Sequence, residues 1–349
     1  MTKVLVEGFR HQLGGHCAST AFRDLFEFHG LRMPDGSDVS EDMVFGLGSG
    51  MGFQFGLRPG KQPPLYIAGR GGGLEMNLAR RTGIDMRWQD TDDADDAWAR
   101  VKAVVDAGEP VLVYADVYEL DYLKAKAHWT LHSILVVGYD EEAGVAFVAD
   151  GDREEIQSCP MDGLRRARAS SGFPGPMRNA FLGLEFPKAL PDLREAIPLA
   201  VRAEVETFAE SAGKVAPDDM GGAGLSGVDA FGRIYPRWNE IFSPEDLQAA
   251  MQAIYLYVEK GGTGFGGFFR RIYGRFLSEA ATIMGDPRYA AAAEDYRGLG
   301  DAWSALANDF REAARSPGRV GVLREAGSRV EDLVAREREG IALLAALAG

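Results

Sequence analysis

The sequence predicts an α+β domain followed by a mostly α-helical one. Three observations carry this reading. Strand-like apolar runs crowd between Val111 and Phe186, helical periodicity dominates after Pro191, and every histidine and cysteine falls at or before Cys159. The 349 residues suit about two domains at the usual ~150 residues each. Any Cys/His chemistry must therefore sit in the first domain, which leaves structure or substrate selection to the second.

Taken in order, Gly14 and Gly15 form a flexible approach to Cys17. From Ala18 onward, Ala18, Ala21, Phe22, Leu25 and Phe26 recur at spacings of three and four, and Gly30 ends the run. Cys17 thus falls at the first turn of a buried helix. Ser40-Glu41 is a helix start. The glycine-rich stretch from Gly46 to Gly56 lacks the Gly-Lys-Ser/Thr ending of a P-loop and reads as backbone passing close to other chain or to substrate. Residues 74–81 and 94–107 read as helices, the second with Trp98, Val101, Val104 and Val105 on one face and Gly108 as its stop. Residues 111–117, 132–139, 145–149 and 181–186 read as strands, with a hairpin turn over 140–144.

Pro187 and Pro191 bracket a linker, which sets the expected domains at 1–188 and 189–349. Beyond it, Ser243-Pro244-Glu245-Asp246 combines an N-cap, a proline at N1 and an acidic N3. Tyr296, Leu299, Trp303, Leu306 and Phe310 form a core-facing stripe, and residues 320–347 are again amphipathic.

Hydrophobic residues make up 46% and charged residues 26%, as in an ordinary globular protein. No apolar run reaches the ~18 residues of a membrane helix, and residues 1–10 lack a signal-peptide layout. The expectation is a cytoplasmic protein with no membrane partner. A net charge of −14 repels phosphate backbones and argues against a nucleic-acid partner. It leaves room for a cationic substrate. Cys17 and Cys159 form no CxxC pair and no zinc cluster, so they read as free thiols, and no cofactor or metal is expected.

A thiol attacks as its thiolate, and a helix N-terminus stabilises that anion with unpaired N–H groups and its dipole. Cys17 has this placement, and His16 beside it is a source of positive charge. His132 opens an apolar strand at its edge, where it can act as the base. Asp150, at the end of the next strand, is the candidate to orient His132 across the ladder. Asp152 and Asp140 compete for that role. His128 competes with His132, or lines the cleft. Cys159 has neither helix start nor partner and reads as a small buried hydrophobe. Arg270, Arg271 and Arg275 are candidate ligands for a phosphate or an acidic protein, against the plainer reading of a solvated helix face.

The order of a cysteine opening an early helix, a histidine on a strand and an aspartate on the next resembles the papain-like fold. The pattern His132-Ser133-Ile134-Leu135-Val136-Val137-Gly138-Tyr139-Asp140 is similar to the bacteriocin-processing peptidase branch. The chain resembles the butirosin-biosynthesis acyltransferase family more closely. The resemblance rests on His16-Cys17, Ser40-Glu41 ahead of Phe45-Gly46-Leu47-Gly48, Asp116-Val117-Tyr118, Gly262-Thr263-Gly264 and Phe269-Arg270-Arg271-Ile272-Tyr273. It implies a papain-like catalytic domain that transfers an acyl group from a carrier-protein phosphopantetheine thioester to an amine of an antibiotic precursor. Cys17 would take the acyl group, His132 would relay protons and Asp150 would orient His132. Papain-like enzymes also use a glutamine ahead of the cysteine as an oxyanion donor. Gln12 is the candidate, five residues ahead where six is the family spacing, and the Cys17 backbone N–H is another donor. His16, His128, Arg270 and Arg271 are the candidate substrate-binding residues.

Two other functions fit the same residues. A cysteine peptidase or amidase would resolve the acyl-enzyme with water rather than amine. A binding protein would keep the fold and lack the chemistry. A second domain able to shield an acyl-enzyme from water favours transfer.

Overall fold

The computed structural model describes residues 3–58, 60–210, 220–260, 266–315 and 326–349. The chain is mixed α/β, with a sheet-bearing N-terminal part and a mostly helical C-terminal part. It divides into two compact units. One joins the residues up to Val44 with Thr82–Leu190, and the other joins Phe45–Arg81 with the residues from Pro191 onward.

The first unit is built on a sheet of seven strands among the described residues. Its order is Asp85–Gln89, Phe181–Glu185, Val111–Ala115, His132–Asp140, Val145–Ala149 and Gln157–Pro160, with Lys3–Leu5 also paired to His132–Asp140. Residues 132–139 are all buried, which is why this strand reads as one apolar run without alternation. Its neighbour Val111–Ala115 pairs antiparallel, with Ala115 opposite His132. The hairpin to Val145–Ala149 turns where Asp140 Oδ1 accepts from the N–H of Glu142 at 3.1 Å and of Ala143 at 3.0 Å, and Gly144 adopts φ +66°. Gly138 faces the Val4 carbonyl, and a side chain there would push the Lys3–Leu5 strand off the sheet.

The helix Cys17–Phe28 packs on the His132 strand and buries Ala18, Phe22, Leu25 and Phe26. Beneath the sheet lie Val101, Val105, Val113, Ile134, Val136, Val148 and Leu164. Two strands carry no readable periodicity. Asp85–Gln89 is an edge strand with mostly exposed residues, and Gln157–Pro160 has four residues, one of them buried.

Among the described residues the second unit holds a three-stranded sheet, ordered Gly221–Ala223, Met51–Leu57, Leu65–Arg70, and the helices Leu193–Glu210, Gly224–Ile234, Pro244–Tyr255, Arg270–Met284, Pro287–Ala314 and Gly327–Ala348. The glycine-rich stretch is therefore largely strand. Its glycines admit close neighbours, as at Gly52, where a side chain would strike the backbone of Arg70 and Gly71. Ser243 caps its helix by accepting from the Asp246 N–H at 3.1 Å. Tyr296, Leu299, Trp303, Leu306 and Phe310 are all buried, as their spacing predicts. Gly262-Thr263-Gly264 and residues 320–325 of the last amphipathic segment lie outside the described residues. No described helix is long and apolar enough to cross a membrane.

Candidate active site

Cys17 is the first residue of its helix and is half-buried. The chain enters that helix through extended backbone at His16, φ −142° and ψ 126°. His16 serves as the cap, its Nδ1 accepting from the Ser19 N–H at 3.2 Å. The same nitrogen lies 3.1 Å from Ser19 Oγ, so this ring nitrogen is engaged with the first turn of the helix. His16 is buried, at 3% exposure.

Glu41 anchors the same approach. Its carboxylate accepts from the N–H of Gly15 at 3.0 Å, of His16 at 2.7 Å, and from the hydroxyls of Ser19 at 3.0 Å and Thr20 at 2.9 Å. Gly14 is required here because a side chain on it would collide with Thr20. In the sequence Glu41 is legible only as a helix start.

His132 lies 6% exposed at the head of its strand. Its Nε2 is 2.8 Å from Asp150 Oδ2, and the ring also hydrogen-bonds the Cys17 side chain. Since Asp150 occupies Nε2, Nδ1 is the nitrogen left to face the thiol. Asp150 follows Ala149, which pairs with Leu135, so adjacent strands present the two side chains at one end of the sheet. Tyr122 donates its hydroxyl to Asp150 Oδ2 at 2.9 Å, and the Asp152 N–H donates to Oδ1 at 3.1 Å. These partners hold the carboxylate plane and leave it to orient the imidazole.

Burial works to lower the His132 pKa, but the Asp150 charge and hydrogen bond, with the contribution of Cys17, outweigh it and raise it well above the ordinary histidine range. Burial works to raise Asp150, and the His132 charge and the hydrogen bonds to it hold it below the usual carboxylate range. Asp152 differs. Burial raises its carboxyl, and its Oδ1 finds no hydrogen-bond partner among the described residues. Asp152 thus gives the site a backbone hydrogen bond and acts on His132 through charge alone, whereas Asp150 bonds the imidazole directly.

His128 forms a second imidazole–carboxylate pair. Its Nδ1 is 2.7 Å from Asp116 Oδ2, and its ring packs on Tyr118 with centroids 4.3 Å apart. Asp116 is buried and also accepts from Ser170 Oγ at 2.5 Å and the Trp129 N–H at 3.0 Å. His128 itself is 45% exposed at its side chain.

Gln12 is placed elsewhere. Its amide donates to Glu27 Oε2 at 3.0 Å on the exposed surface, while Arg23 takes the backbone carbonyls of Gln12 and Leu13. Glu27 lies ten residues along the helix from Cys17, about 15 Å at 1.5 Å per residue. The Gln12 side chain is therefore not brought to the thiol. Arg270 is also placed elsewhere. It is fully buried, bridges Glu337 at 2.8 and 2.9 Å, and donates from Nη1 to the carbonyls of Gly52, Gly69 and Phe268. It is an internal strut with no surface to offer a ligand. Arg271 bonds Asp301 at 2.8 Å and stays partly exposed. Cys159 is buried, and burial pushes its thiol up to about 11.

Comparison with known protein families gives two matches. A family model described as Butirosin biosynthesis protein H, N-terminal, matches residues 16–151, and one described as a domain of unknown function (DUF4872) matches residues 162–344. No curated protein matches the chain. The first match contains Cys17, His132 and Asp150, and its name points to an enzyme of antibiotic biosynthesis. The second covers more than half of the chain by itself. Matched by these two models in succession over nearly all its length, the chain belongs to the butirosin biosynthesis protein H family.

Proposed function

We propose that the protein is a cysteine-dependent acyltransferase with a papain-like catalytic domain, moving an acyl group from a carrier-protein phosphopantetheine thioester to the amine of a small molecule. The observation that carries this reading is the chain of contacts from Cys17 to His132 to Asp150. In the first step the Cys17 thiolate attacks the thioester carbonyl carbon. The tetrahedral intermediate collapses, and the pantetheine thiol leaves with a proton from the His132 imidazolium. In the second step the acceptor amine attacks the Cys17 thioester, His132 takes the amine proton, and the thiolate leaves. Asp150 keeps the imidazole in register through both steps.

The raised His132 pKa supports this reading, because an imidazolium beside the thiol favours the thiolate at neutral pH. Family membership supports the antibiotic-precursor setting. The acidic surface, net −14, suits a cationic amine acceptor. The test is intact-protein mass spectrometry after exposure to acyl-carrier-protein thioesters. An adduct on Cys17 that an amine discharges faster than water supports transfer. An adduct discharged equally fast without amine supports hydrolysis, and no adduct from any donor refutes both.

A further inference from the structure

We infer that His11 is a positioning residue whose imidazolium straps the Asp150–Arg153 turn to the helix that carries Cys17, and that the strap opens when the ring loses a proton. This rests on the reading of Cys17, His132 and Asp150 as the reacting set.

The argument is one of hydrogen-bond direction. His11 Nδ1 lies 2.6 Å from Asp24 Oδ2. Its Nε2 lies 3.1 Å from the Asp150 carbonyl oxygen and 2.8 Å from that of Arg153. Carbonyl oxygens only accept. Asp24 Oδ1 accepts from Arg23 Nε at 3.0 Å and Nη2 at 2.7 Å, a guanidinium–carboxylate pair that leaves Oδ2 as the acceptor facing the ring. Both ring nitrogens therefore face acceptors, and only the doubly protonated ring satisfies both. The ring is enclosed, 3% exposed at its side chain, so water cannot replace a lost partner.

The strap joins two parts of the site that are far apart in sequence. Asp24 lies two turns beyond Cys17 on the same helix. Asp150 supplies the carboxylate to His132, and its own carbonyl is one of the two that His11 holds. A parallel bond runs from the Gly14 N–H to the Gly151 carbonyl at 3.0 Å, tying the approach to Cys17 to the same turn. The charged groups about the ring are Asp24 and Arg23 on the helix, Glu41 at 3.9 Å from Arg23, and Asp150 and Arg153 on the turn. Burial works to lower the His11 pKa, and the bonds to Asp24 and the two carbonyls outweigh it and raise it. The strap is thus complete below the ordinary histidine value near ~6.5 and is lost as pH rises through the raised one.

The experiment is nitrogen-resolved NMR of the histidine rings in the full chain between pH 6 and 9.5. The wild type should show both His11 nitrogens protonated at pH 7, and the His132 ring signals should shift with the same midpoint as His11. In His11→Gln that shared step should vanish. The double variant His11→Gln/Asp24→Asn replaces the strap with a neutral one, and its His132 signals should keep the low-pH wild-type position across the wild-type His11 midpoint, with no step there. An unprotonated His11 nitrogen at pH 7 would overturn the inference, as would His132 signals that pass through the His11 titration unmoved. Acyl transfer is not part of this readout. Failure to find transfer with the NMR steps present would sink the proposed function and leave the strap standing.

Discussion

Tyr122 and His132 meet on a single oxygen: the Tyr122 hydroxyl donates to Asp150 Oδ2 at 2.9 Å, and His132 Nε2 lies 2.8 Å from the same atom. The carboxylate that orients the histidine is thereby itself oriented. Tyr122→Phe removes one donor from a buried carboxylate and keeps the ring packing. A net hydrogen bond is worth ~1 kcal/mol, so turnover should fall about fivefold with KM little changed. Steady-state kinetics on one donor thioester check this, and a loss confined to KM would contradict it.

Cys17→Ala should abolish the acyl adduct with melting temperature and circular dichroism unchanged, because Cys17 sits at an incompletely buried helix start. His132→Ala should nearly eliminate turnover. His128→Ala should act mainly on KM, since that ring is 45% exposed and paired to Asp116 rather than to the Cys17 cluster. A larger kcat loss at His128 than at His132 would reverse the two assignments.

Asp150→Asn should cost at least about tenfold in kcat, ~1.4 kcal/mol of barrier. An amide can accept from His132 and Tyr122 with its oxygen, but its NH2 then faces the Asp152 N–H that now donates to Oδ1 at 3.1 Å. Asp150→Ala should cost more, because the imidazole loses its orienting partner. Asp152→Ala should change less, since alanine retains the backbone N–H bond to Asp150 and loses only a charge interaction with His132. All three variants are compared with wild type on the same substrates. A collapse at Asp152→Ala with near-normal Asp150→Ala would move the orienting role.

Arg270→Ala should destabilise the second unit by ~3–5 kcal/mol, because it leaves Glu337 buried without its partner. Arg271→Ala, at a partly exposed pair, should shift stability by less than ~1 kcal/mol. Urea denaturation at constant pH distinguishes them. Normal stability in Arg270→Ala would show that the strut is dispensable.

Glu204 predicts a pH dependence of stability. Burial pushes its carboxyl up to about 8, only partly offset by the Met51 N–H and by the charges of Arg270 and Arg81, and its Oε1 has no partner among the described residues. The folded state then binds this proton more tightly than the unfolded chain. Its contribution is favourable to folding at low pH, weakens from about pH 4.5 and is lost by about pH 8. Glu204→Gln should therefore be more stable than wild type at pH 8, by more than ~1 kcal/mol, with the difference shrinking toward pH 5. Equal stability at both pH values would argue against a buried, titrating Glu204.

Local chemistry fixed what one segment can announce by itself. The helix opening at Cys17, the strand after His132, the hairpin turn over 140–144 and the stripe from Tyr296 to Phe310 are periodicities or turn signals within a few residues, so they were readable from the chain. The placement of Asp150 near His132 was readable because consecutive antiparallel strands with a short turn must pair. Tertiary structure decided what depends on partners distant in sequence. Whether Arg270 faces solvent or Glu337, 67 residues away, leaves no local trace, and neither does the choice of Glu41 to bind the backbone before Cys17. The same holds for His11, whose protonation follows from acceptors at Asp24, Asp150 and Arg153. A side chain's charge state is set by the dielectric and the hydrogen-bond partners the fold assembles around it, and those exist only once the chain has closed on itself.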